Sequence, residues 1–269
     1  MTKPLALLTL AAVPALLAQG IPAPNYSYEV ASIRRAAPGQ QNSGFSPGPQ
    51  GGLWARNNTV VNLIKFAFKA EEYQIVGLPV WAKSDRFEIT LTPDHADTVP
   101  DTGLDRAQLD GWLMRNRQRM QAVLRDRFGL IIRMEARESP TYVLTIAKGG
   151  HKLATAAGKQ VSLNINNGRE IVAKAVGMKN LADALSMMLG RMVRDETGLD
   201  GSYDFKAEFA PDMSIQLPGA PGPDAASSAD ANRPSIFTAL NEQLGLRLES
   251  KRGPVPTFVV DKIVPPTEN

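Results

Sequence analysis

Residue types that commonly carry catalysis are sparse in this chain. Its 269 residues include two histidines, His95 and His151, and no cysteine. The lack of cysteine excludes thiolate catalysis, disulfide bonds and cysteine-ligated zinc or iron–sulfur sites. Two histidines without the H-E-x-x-H spacing do not supply a catalytic zinc site. The sequence therefore predicts no metal, no cofactor and no catalytic residue.

One stretch, residues 44–48, matches the G-x-S-x-G pattern of a nucleophilic serine. That chemistry needs the serine on a sharp turn between a strand and a helix. Pro47, Gly48 and Pro49 leave no room for a helix directly after Ser46. We predict a glycine-proline loop between strands here, and not a nucleophile.

Two acidic stretches are weaker candidates for a metal site or a catalytic site. The first could gather a hard cation, but it lacks the spacing of a calcium loop and is typical of a solvated loop; its members are Asp94, His95, Asp97 and Asp101. The second runs from Asp195 to Asp204 and could bind calcium or supply an acid and base pair. Its Asp200-Gly201 step favours a turn into a strand, with Asp204 on the polar face.

The remaining candidates are binding residues. Trp81, Asp85 and Arg86 lie in a segment predicted to link two strands, and Tyr203 and Asp204 begin a strand. An exposed Trp81 would offer a large contact area with few rotors. The alternative is that Trp81 packs against the end of the core beneath its loop.

The pattern of elements that would position these residues occurs four times in the sequence. Each copy has an amphipathic helix, a strand, a turn and a second strand, and the copies begin near Asn58, Arg119, Met178 and Ser235. Gly129 and Gly245 stand where helices would end in a left-handed cap. One such unit cannot bury a core alone. We therefore predict an α+β fold of two lobes, with antiparallel sheets that carry helices on one face.

The predicted organisation begins with a signal peptide over residues 1–20. Lys3 precedes an apolar run from Leu5 to Ala18, and a small-x-small site permits cleavage before Ile21. The run is shorter than the roughly 18 residues of a membrane span, so we expect no span after processing. The lobes are predicted at 21–150 and 151–269, with a flexible insertion at 211–233. The mature protein is predicted to be periplasmic or secreted.

The charge of the chain does not indicate a nucleic-acid partner. The formal net charge is +3 and the pI is about 9.1. The densest basic stretch lies on a predicted helix, where its arginines would spread around the solvated side; it comprises Arg115, Arg117, Arg119, Arg125 and Arg127.

An ordered succession of motifs resembles a large family of secreted, "soil-associated" proteins of soil bacteria. The motifs include Tyr28 to Arg34, Asn62-Leu63-Ile64, Pro79-Val80-Trp81, Ser84 to Phe87, Asp126-Arg127-Phe128, Thr197 to Gly201 and Tyr203-Asp204-Phe205. The resemblance covers the mature chain and implies a domain of unknown function, with no catalytic residues to carry over. The helix-strand-strand unit is also similar to the short N-terminal domains of secretins and TonB-dependent receptors, which dock proteins.

Three functional hypotheses remain. The leading one is a non-enzymatic module whose exposed strand edges, or a groove between the lobes, receive an envelope protein or an extended peptide. The rival is a hydrolase or carbohydrate-active enzyme that uses Asp85, Glu88, Asp200 and Asp204, which requires two carboxyl groups roughly 5 to 10 Å apart in a cleft. The third is a structural envelope protein without a small ligand.

Overall fold

The computed structural model describes residues 19–40, 42–97, 106–166, 168–210 and 233–267. The helices are α1 (Val60–Phe68), α2 (Trp81–Ser84), α3 (Arg106–Arg127), α4 (Met178–Leu189) and α5 (Ile236–Leu244). The strands are β1 (Gln19–Gly20), β2 (Tyr28–Arg35), β3 (Gly44–Pro47), β4 (Leu53–Thr59), β5 (Ile75–Val76), β6 (Arg86–Pro93), β7 (Ile131–Ile146), β8 (Ala154–Thr155), β9 (Ser162–Asn166), β10 (Glu170–Val176), β11 (Val193–Asp195), β12 (Tyr203–Glu208) and β13 (Leu246–Lys262). Helices together with antiparallel sheets confirm the predicted α+β class.

The chain forms two compact units, and neither is one continuous segment. The first unit draws on residues 1–59, 77–136 and 256–269, and the second on residues 60–76 and 137–255. Gly150, at the predicted boundary between lobes, lies in the loop between β7 and β8 of the second unit. The predicted insertion at 211–233 lies, apart from Arg233, outside the described residues.

The first unit contains an antiparallel sheet in the order β2-β6-β4-β3. Its strands alternate, so that one face is buried, and helix α3 contacts strands β2 and β6. Phe128 at the end of α3 meets Phe87 of β6 edge-to-face, with ring centroids 5.6 Å apart. Both phenylalanines are almost completely buried, and they join the helix to the sheet.

The second unit contains an antiparallel sheet in the order β8-β12-β10-β9. Leu181 and Leu185 of α4 and Leu240 of α5 have no exposed surface, and they share one core with Ile171 and Ala207 of the sheet. Ser235 is the N-cap of helix α5, and its hydroxyl accepts a hydrogen bond from the Thr238 N–H. It ends at Gly245 with φ 65°, which confirms the predicted left-handed cap.

The remaining sheet has the order β1-β7-β13-β5, with β11 also paired to β7. Its two long strands differ from the predicted pattern of strand, turn and strand in the second and fourth copies. Each strand is continuous, β7 through Pro140 and β13 through Gly253-Pro254. Proline keeps an extended φ, so it ends a strand only where its missing N–H is needed. The repeat as a structural unit stays a prediction.

The serine of the G-x-S-x-G pattern lies inside β3, opposite Trp54 of β4. The predicted loop is therefore a strand at this point. It is followed by a single 3-10 turn at Pro49–Gly51, and a nucleophile elbow would require a strand-to-helix turn. Within the described residues, no helix is long and apolar enough to cross a membrane.

Candidate binding site

Three of the predicted binding residues lie together in the first unit. Trp81 begins the short helix α2 and is half-buried, while Asp85 follows its end. The Asp85 carboxylate accepts a hydrogen bond from Arg35 at 3.0 Å. Arg86 donates to the backbone oxygen of Asn57 at 2.9 Å. Asp85 and Arg86 therefore already brace the ends of strands β2, β4 and β6.

The other two predicted residues, Tyr203 and Asp204, begin β12 in the second unit. The ring of Tyr203 meets His151 at 5.8 Å between centroids. Asp204 Oδ1 accepts the Ala175 N–H at 2.8 Å, and Lys174 Nζ lies 3.6 Å from Asp204 Oδ2. Ala175 has φ 49°, in the left-handed region, where β10 bulges against β12. Asp204 thus accepts the N–H of a residue whose backbone conformation is strained.

Three of the four acids proposed for hydrolysis, Asp85, Glu88 and Asp204, hold structural partners. Arg34 binds Glu88 at 2.5 Å and lowers the pKa of that carboxyl group. A general acid would need its pKa raised. No group of three or more histidine, aspartate or glutamate residues among the described positions could hold a metal ion.

The acidic stretch at residues 94–97 is not simply solvated. Asp97 accepts hydrogen bonds from Arg115 at 2.6 Å and Arg119 at 3.0 Å, both on α3. Arg119 is 3% exposed and lies over the ring of Tyr26 at 5.8 Å. The expectation that this arginine faces solvent is therefore wrong. Asp101 lies outside the described residues.

Unpaired strand edges attract other strands, and natural sheets protect them with charges, proline, bulges or a covering element. Strand β2 carries Arg34 and Arg35 and is bulged near its start. Strand β3 ends in Pro47. The open part of β12 is covered by Gln243 of α5, which accepts the Glu208 N–H at 2.9 Å and donates to the Glu208 oxygen at 2.8 Å.

Strand β9 lacks the charges, the proline and the bulge that protect the other edges. It pairs with β10 on one side, and no described strand pairs with its other side. Its sequence, Ser-Leu-Asn-Ile-Asn, contains no charge and no proline. Val161, just before it, is 58% exposed. The outer edge of β9 can therefore accept the backbone of another extended chain.

The two faces beside that edge differ in chemistry. Leu163 and Ile165 pack partly against the core of the second unit, whereas Asn164 and Asn166 are exposed. Because side chains alternate along a strand, an added strand would meet apolar groups on one face and amides on the other.

We did not predict β9, although the sequence carries a signal for it. Polar and apolar residues alternate from Ser162 to Asn166, and an Asn-Gly pair follows at 167–168. Alternation ending in Asn-Gly is a strong hairpin pattern. Whether another strand pairs with its outer side depends on the whole sheet and has no local signal.

The fold defines an α+β protein of antiparallel and mixed sheets, and β9 is an uncharged strand at the border of one of them. Residues 61–263 match the family described as protein of unknown function (DUF3738), and the chain belongs to that family. This agrees with the expectation of a family without an assigned function; the soil-associated and secretin-like resemblances stay predictions. No curated protein and no solved structure matches the chain.

Proposed function

We propose that the protein is a non-enzymatic binding module, periplasmic or secreted, that receives an extended segment of a partner protein along the outer edge of β9. The observation that carries the proposal is an edge strand without charge or proline that has no described partner on its outer side, within a sheet whose opposite side carries the short strand β8 and the bonds of Gln243 to Glu208. Main-chain hydrogen bonds along such an edge supply affinity, and alternate side chains supply specificity.

The surroundings of β9 define the kind of segment that fits. Apolar side chains of the segment would lie over Leu163 and Ile165, and its polar side chains would lie beside Asn164 and Asn166. The nearby outer face carries paired charges, because Lys206 binds both Glu170 at 2.7 Å and Glu208 at 2.8 Å. A segment of alternating apolar and polar residues with little net charge suits this site.

Photo-crosslinking in the native host tests the proposal. A photoreactive residue at Val161 should capture a protein through one extended segment, identified by mass spectrometry of the crosslinked peptide. The same probe at Lys179, on the exposed surface of α4 in the same unit, should not capture that segment.

A blocking variant makes the test specific to the edge. Asn164→Lys adds the type of charge that protects natural edges and should abolish capture at Val161. Asn180→Lys makes the same change at an exposed position of α4 and should leave capture intact. Equal capture at both probe sites, or capture that survives Asn164→Lys, would contradict the proposal.

A further inference from the structure

A second strand edge lies in the first unit, and the chain covers it with its own N-terminal residues. Strand β1 pairs antiparallel with β7, with Gln19 opposite Met134 and Gly20 opposite Arg133. These two residues are the last of the predicted signal peptide, which ends at Gly20. Cleavage before Ile21 would remove β1 and leave this part of β7 without a partner strand on the side that β1 occupied.

We propose that cleavage uncovers the edge of β7 and that a second copy of this chain then pairs with it. The two β7 strands would run antiparallel about a two-fold axis at Met134. Two apolar side chains near this edge are exposed before processing, Ile131 at 54% and Met134 at 38%. A self-complementary edge of this kind gives a closed dimer.

Charge fixes the register of the pair. Arg133 and Glu135 lie on one face of β7, and Arg133 binds Glu135 as well as Asp261, the latter at 3.1 Å. With the axis at Met134, Arg133 of each copy stands opposite Glu135 of the other, which gives two opposite-charge pairs. A shift that centres the axis on Arg133 would place two arginines opposite each other, and directly opposed like charges are unfavourable. Met134 would face its own symmetry mate on the other side of the sheet.

The processing step is tested first. Intact-mass analysis of the protein recovered from its host should give a chain that begins at Ile21. A mature chain that still contains Gln19 and Gly20 would overturn the proposal, because β1 would then remain in place.

Self-association is tested by sedimentation equilibrium of two chains, one beginning at Ile21 and one at Gln19. We expect a reversible dimer for the first and weaker dimerisation for the second. A chain from Ile21 that stays monomeric, or equal association of both chains, would overturn the proposal.

Charge reversal tests the register. Glu135→Arg and Arg133→Glu should each weaken self-association about tenfold, because each creates two like-charge pairs across the axis. An equal mixture of the two variants should form a heterodimer, since every pair is then opposite in charge. Glu29→Arg, a reversal at an exposed residue of β2, is the matched control and should change nothing.

Circular dichroism separates loss of pairing from loss of fold in these variants. A folded Glu135→Arg chain that dimerises as tightly as the parent, or a mixture without heterodimers, would overturn the proposed register. This inference does not depend on β9, because failure at β9 leaves the dimer untouched and Asn164→Lys should not alter it.

Discussion

At the scale of single residues, Asp204 holds a strained position of β10. Its carboxylate accepts the N–H of Ala175, which is 6% exposed and has a positive φ. Asp204→Ala would leave that buried N–H unpaired and should lower the free energy of unfolding by about 1 to 3 kcal/mol in urea titrations. Asp204→Asn keeps an oxygen acceptor and should lose less. Equal losses for both variants would contradict this role.

A substitution at Ala175 itself should have the opposite effect and raise the free energy of unfolding. A non-glycine residue in the left-handed region costs roughly 1 to 2 kcal/mol. Glycine removes this strain, but it loses more backbone entropy on folding, which offsets part of the gain. Ala175→Gly should therefore stabilise the protein by about 0.5 to 1 kcal/mol, measured by the same urea titrations. A destabilised variant would show that the alanine methyl group contributes more through packing than the backbone strain costs.

Tyr28 controls part of the response to alkali. Burial, reinforced by the neighbouring Asp126 carboxylate, raises its pKa to about 12, and its hydroxyl donates to Asp126 at 3.1 Å. Because the pKa of this acid is higher in the folded state, its stabilising effect is complete below about pH 10 and is lost as the pH rises through about 12. Tyr28→Phe should remove one late-titrating group from the absorbance titration of tyrosinate and reduce the loss of stability over that range.

Tyr73 provides the control for this titration. Burial raises its pKa to about 12 as well, so Tyr73→Phe should remove a second late-titrating group. If Tyr28→Phe instead removes a group that titrates near 10, the Asp126 contact does not protect the phenol.

At the scale of elements, helix α5 closes a sheet edge with one side chain. Gln243 bonds both backbone groups of Glu208, as a neighbouring strand would. Gln243→Ala should destabilise the protein by about 1 kcal/mol and speed hydrogen exchange at the Glu208 amide. Gln243→Glu keeps the acceptor but not the donor, so it should leave that amide protected. Unchanged exchange in the alanine variant would contradict the role of Gln243.

Strand β6 passes so close to Gly52 that no side chain fits between them. A Cβ atom at Gly52 would lie 1.9 Å from the backbone oxygen of Leu91, although its φ of −74° suits any residue. Gly52→Ala should therefore destabilise by about 3 kcal/mol or more through steric displacement alone. Gly149, where a Cβ would meet nothing within 4 Å, is the matched control. Thermal unfolding of both variants gives the comparison.

Local patterns predicted some of these elements and not others. The cap at Gly245 follows from its own helix, and the alternation from Tyr203 to Phe209 follows from its own strand. The partner of Asp204 lies 29 residues away and depends on a bulge, and the partner of Gln243 lies 35 residues away. Such contacts exist only once the sheets have formed. The predicted turn of the second copy is part of β7 for the same reason, because pairing along β7 overrides a local turn signal.

At the scale of the whole molecule, the stretch 211–232 should be dispensable for folding. The residues on either side of it are already joined, since the Ala210 N–H donates to the Pro234 oxygen at 2.8 Å. A short glycine-serine linker can therefore replace it at little entropic cost. The melting temperature should change by only a few degrees, whereas collapse of cooperative unfolding would contradict this prediction.

The interleaving of the two compact units has a consequence for synthesis. The first unit includes residues 256–269, so it cannot be completed until β13 has left the ribosome. The second unit consists of residues 60–76 and 137–255, so it can be completed before the first unit. Vectorial folding from the N-terminus is thus unavailable to the first unit. Its early segments stay without their last strand partner until β13 has been synthesised.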